Sequence, residues 1–78
     1  MAVEVHQFGT SAGPRTILDA EPASGSRPVT LGDAARLYST SLIFRQGPYL
    51  VRLVAFEEGA GVGPALLSLG RAIAARLP

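Results

Sequence analysis

The stretch Leu37 to Phe56, LYSTSLIFRQGPYLVRLVAF, constrains the fold more than any other part of the chain. Two runs rich in β-branched and aromatic residues flank Arg45-Gln46-Gly47-Pro48, a pattern that specifies a β-hairpin. Pro48 has no N–H to donate, so a four-residue loop closed by Phe44 and Tyr49 is expected. That register pairs Leu42 with Val51, Thr40 with Leu53 and Tyr38 with Ala55. Side chains alternate along a strand. One face then holds Tyr38, Thr40, Leu42, Phe44, Tyr49, Val51, Leu53 and Ala55, and its apolar character marks it as the core face. The other face is mixed: Leu37, Ser39, Ser41, Ile43, Arg45, Leu50, Arg52, Val54 and Phe56. A wholly solvated face would be more polar, so partial cover by something else is expected there.

Upstream, Ala2 to Phe8 alternates as a strand, with Val3 and Val5 on one side and Glu4, His6 and Phe8 on the other. Thr10 or Ser11 can cap a short helix running to about Ala20, with Pro14 in its first turn and Ile17 and Leu18 as its buried contacts. Glu21 to Pro28, EPASGSRP, is a loop by composition. Gly32-Asp33 marks a turn into the hairpin. Ala34 to Leu37 fits a strand lead-in or a helical turn equally well. After the hairpin, Pro64 suits the first turn of a helix. Leu66, Leu69, Gly70, Ile73, Ala74 and Leu77 then follow helical spacing, and Arg71 and Arg76 lie near the C-terminal end, where positive charge suits the helix dipole. This helix is expected on the hairpin's apolar face.

The resulting class is α+β: a two-layer sandwich in the order strand-helix-strand-strand-helix, with an antiparallel sheet and helices on one face. The order is similar to a ferredoxin-like unit without its last strand. A missing strand leaves an open edge, and open edges invite pairing with another chain.

Seventy-eight residues make one domain at most. A chain of this size buries only about 60% of its unfolded surface. It has no cysteine, so no disulfide supports it and oligomerisation is the remaining common aid. A homo-oligomer is therefore expected. Seven arginines against six acids leave a net charge of +1, which excludes a broad nucleic-acid footprint and a polybasic membrane patch. No apolar run reaches the roughly 18 residues of a membrane span. The N-terminus lacks the plan of a signal peptide, so the chain as written reads as cytoplasmic.

Few residues suggest chemistry. His6 is the only histidine, and Glu4 shares its strand face, but two ligands fall short of a metal site. Ser39, Ser41 and Ser68 lie in nothing like a nucleophile elbow. Glu57 and Glu58 are neighbours at a strand end and face different ways. The glycine-rich run before the last helix lacks the Gly-Lys-Ser/Thr ending of a phosphate loop. No catalytic residue, metal or cofactor is implied, and a non-enzymatic role is expected.

Leu31-Gly32-Asp33-Ala34-Ala35, the hairpin Leu42-Ile43-Phe44-Arg45-Gln46-Gly47-Pro48-Tyr49-Leu50-Val51-Arg52-Leu53 and the Leu66 to Leu77 helix together resemble the C-terminal half of a bacterial domain family of unknown function. That family carries a comparable Gly-Asp, Phe-Arg-Gly-x-Tyr-x-Val-Arg and Leu-rich helix ending. More distantly, the order is similar to extracytoplasmic sensor domains of some bacterial Ser/Thr kinases. The resemblance implies no catalytic residues. It implies longer relatives with further strands upstream, so an extracytoplasmic location is the alternative if the chain is a fragment of a secreted protein.

Two functional readings follow. The first is an interaction or sensor-type domain that self-associates through a sheet edge or the mixed face, with Ile43, Arg45, Leu50, Arg52, Val54 and Phe56 as the interface. The second is a small-ligand domain with a pocket between helix and sheet near Tyr38 and Tyr49.

Overall fold

A computed structural model describes all 78 residues, Met1–Pro78. The chain forms β1 (Ala2–Gln7), α1 (Ala12–Ala20), β2 (Arg27–Pro28), β3 (Ala34–Leu37), β4 (Ser41–Gln46), β5 (Tyr49–Val54) and α2 (Val62–Ala74). The α+β class and the antiparallel sheet are as expected. The sheet has five strands in the order β1-β5-β4-β3-β2, every neighbouring pair antiparallel. This corrects the expected three: β3 is an additional strand, and β2 lies at the end of the stretch Glu21 to Pro28 read as a loop, where pairing with Arg36 and Leu37 makes it a short edge strand.

The β4–β5 hairpin is tighter than the expected four-residue loop. Gln46 pairs with Tyr49, so the loop is only Gly47-Pro48. Gly47 takes a φ of +55°, which the first position of such a turn requires. Pro48 is no obstacle, because the closing donor of a two-residue turn is the residue after it, Tyr49. The true pairs are Leu42–Leu53 and Phe44–Val51, a slip of two from the expected register. An even slip leaves every side chain on its face. Leu42, Phe44, Val51 and Leu53 therefore still form the core face, all fully buried.

A second hairpin precedes the first. Tyr38 N–H donates to Ser41 O at 2.8 Å, turning the chain between β3 and β4. Ala34 to Leu37 is thus its own strand rather than a lead-in. Leu37 pairs with Leu42 and shares its face, and Tyr38 passes to the other. Ser39 and Thr40 form the tip of this turn, Ser39 exposed and Thr40 half-buried, and Ser41 opens β4.

Each face of the sheet carries a helix. Leu66 of α2 is buried with Leu31, Ala35, Leu37, Leu42, Phe44, Val51 and Leu53. The opposite face holds Leu18 of α1 buried with Ile43 and Leu50, with Ile17, Phe8, Ala34 and Tyr38 packed around them. Consecutive residues of β4 point to opposite faces, so α1 and α2 cannot share one. This corrects the placement of both helices on one face. The mixed face is mixed because α1 covers only its middle.

α1 starts directly after the expected cap residues Thr10 and Ser11. Its first amide donates to Thr10 Oγ1 at 3.2 Å. Pro14, in the first turn, is buried. α2 begins two residues before Pro64, and Leu66 and Gly70 are its most buried positions.

Candidate interaction surface

The six expected interface residues do not form one exposed patch. Ile43 and Leu50 are buried under α1 in the single chain, so neither is available to a partner. The guanidinium of Arg45 lies 3.9 Å from Asp33 Oδ2 with most of its side chain buried, and its Nε is buried without a partner. Arg52 is hydrogen-bonded and ion-paired to Glu21 at the end of α1. Val54 is half-buried at the end of β5, and Phe56 lies beyond that strand, 75% exposed.

The tyrosines are separated as well. Tyr38 belongs to the α1 face, where its hydroxyl donates to Pro22 O at 2.6 Å. Tyr49 pairs with Gln46 and Gln7, and its odd position along β5 puts it on the α2 face. A cavity of about 300 Å³ does open beside Tyr38, bordered by Glu21, Pro22, Thr40 and Arg52. Its strongest polar groups are already spent on one another. The Arg52–Glu21 and Tyr38–Pro22 contacts tie the end of α1 and the start of its following loop onto the sheet.

The exposed backbone lies at β1. This strand pairs with β5 on one side only. Phe8 N–H donates to Pro48 O at 2.8 Å, which sets the phase of the ladder, since bonded and non-bonded pairs alternate. Ala2, Glu4 and His6 direct their N–H and C=O groups at β5. Val3, Val5 and Gln7 direct theirs outward. Val3 and Val5 are 48% and 47% exposed, on the α2 side of the sheet but beyond that helix. On the other side, His6 Nε2 and Glu4 Oε2 are 3.5 Å apart and exposed. No third metal-ligating side chain joins them.

The two sheet edges differ. β2 is two residues long and one of them is Pro28, both devices that stop further pairing. β1 is six residues long and contains neither proline nor a basic residue other than His6. Nothing in the chain covers it. Val3 and Val5 were legible as one side of a strand; their exposure was not, because it depends on how far α2 reaches across the sheet.

No helix is long and apolar enough to cross a membrane. Comparison of the chain with known protein families, characterised proteins and solved structures finds no match.

Proposed function

We propose that the chain is a non-enzymatic interaction module that works by strand addition at β1 and associates with itself there. The observation that carries this reading is the contrast between the blunted β2 edge and the open, six-residue β1 edge with its two exposed valines. An open edge supplies main-chain hydrogen bonds, and alternate side chains supply selectivity. The mixed face has no part in it, since α1 occupies its centre.

Amide hydrogen exchange tests the reading residue by residue. The amides of Val3, Val5 and Gln7 exchange quickly in dilute solution and slow as protein concentration rises, while those of Glu4 and His6 are protected throughout by β5. Rapid exchange at Val3, Val5 and Gln7 at every concentration would contradict it.

A further inference from the structure

Resting on that reading, we infer that the strand added at β1 is β1 of a second copy, antiparallel, with Val5 on the two-fold axis. The edge allows only a few registers. The outward hydrogen-bonding residues are Val3, Val5 and Gln7, and an antiparallel partner must pair such residues with each other. Slips of one residue break that match and move the valines to the wrong face. The permitted registers therefore differ by two.

Charge selects among them. With Val5 opposite Val5 of the second copy, Glu4 lies opposite the partner's His6, and His6 opposite the partner's Glu4. These are non-hydrogen-bonded pairs, the closer kind, with Cα atoms about 4.5 Å apart. A slip of two in one direction sets Glu4 against Glu4. The other direction sets His6 against His6. Only the Val5-centred register is self-complementary. On the opposite face Val5 meets the partner's Val5 at the centre, and each Val3 lies diagonal to the partner's Val5 and directly opposite the partner's Gln7, so a central apolar cluster is flanked by the two glutamines. Within each chain Glu4 also faces Arg52 across the ladder, but Arg52 is engaged by Glu21. Glu4 Oε2 lies instead 3.5 Å from His6 Nε2 of its own strand, a long contact that leaves lone pairs of the carboxylate for the partner's imidazole. His6 faces Leu50, which offers it no polar partner.

Cysteine cross-linking of the full chain tests the register, because the native sequence has no cysteine. Val5→Cys places two sulfurs on opposed residues about 5.5 Å apart at Cα, within disulfide range. Val3→Cys places its sulfurs four residues apart along the seam, roughly 13 Å by strand rise, beyond that range. The expected result is rapid disulfide dimerisation of Val5→Cys and little from Val3→Cys. Preferential linking of Val3→Cys, equal linking of both, or linking of neither in a chain whose mass is doubled would overturn the register while leaving edge association standing. A single-chain mass at all concentrations would overturn edge association itself. A second pair of variants reads the charge term. His6→Glu weakens association about tenfold, since two like-charge pairs replace two favourable ones, and His6→Arg leaves it within about threefold. Equal affinities for the two variants would contradict the assigned contacts.

Discussion

Three residues in the first turn of the β-meander and in α2 show how closely the backbone is drawn together. Gly32 has a φ of +58°, and a Cβ there would sit 2.5 Å from Arg45 O. The left-handed conformation alone costs a side chain about 1–2 kcal/mol, and the clash with a backbone oxygen adds to it. Gly32→Ala is therefore expected to lower unfolding free energy by about 2 kcal/mol or more in urea denaturation; a loss under about 0.5 kcal/mol would show that the turn relaxes freely. Next to it, Asp33 accepts a hydrogen bond from Gly47 N–H at 2.7 Å, joining the turn before β3 to the β4–β5 turn. Gly70 does similar work in α2. A Cβ there would lie 2.7 Å from Leu42 Cδ2 and 2.9 Å from Leu31 Cδ2, so its absence lets the helix settle onto the sheet. Alanine in place of glycine mid-helix normally stabilises by about 1 kcal/mol. At Gly70 overpacking of about 1–3 kcal/mol opposes this. Gly70→Ala is expected to give no gain in thermal stability, and a clear rise in melting temperature would contradict the close packing.

Among the elements, α1 is the one whose placement decides the functional reading. It is nine residues long, too short to persist without tertiary contacts. Leu18 on Ile43 and Leu50 supplies the apolar contact, and the Tyr38 and Arg52 hydrogen bonds fix its far end. Leu18→Ala is expected to cost about 2–5 kcal/mol, the range for a buried leucine, and Tyr38→Phe about 1 kcal/mol for its lost hydrogen bond. Equilibrium unfolding of the two variants checks both, and near-neutral values would mean that α1 is loosely held and Ile43 and Leu50 exposed after all. The elements themselves were largely readable: β1, α1, the hairpin runs and α2 all carry their own periodicity and turn residues. The register and the β3–β4 turn were not. The register hung on which residue donates the closing bond, Tyr49 rather than Pro48. The turn was hidden because Tyr38 to Ser41 continues the alternation of a strand while its hydroxyl residues serve a bend. The side taken by α1 could not be read from its own pattern. It depends on where the chain crosses from β1, at one edge, to β2, at the other.

For the whole molecule, the consequence is a small sheet with helices protecting both faces and only its edges left to act. Radius of gyration is 11.7 Å, and the buried side chains divide into two clusters on either side of the sheet. Neither is large, and chains of this size gain much from a partner. One edge is closed by its brevity and by Pro28. The other is β1. Val5→Pro separates folding from association, because the Val5 N–H points away from β5 and its loss breaks no bond within the chain. The most direct check is light scattering over a concentration series on the native chain and on Val5→Pro. Edge pairing through β1 predicts that the native mass rises from 8.1 kDa towards twice that value, while Val5→Pro stays at the mass of one chain with an unchanged unfolding midpoint in dilute solution. A native chain that remains at the single-chain mass throughout, or a Val5→Pro chain that associates as strongly as the native one, would contradict it.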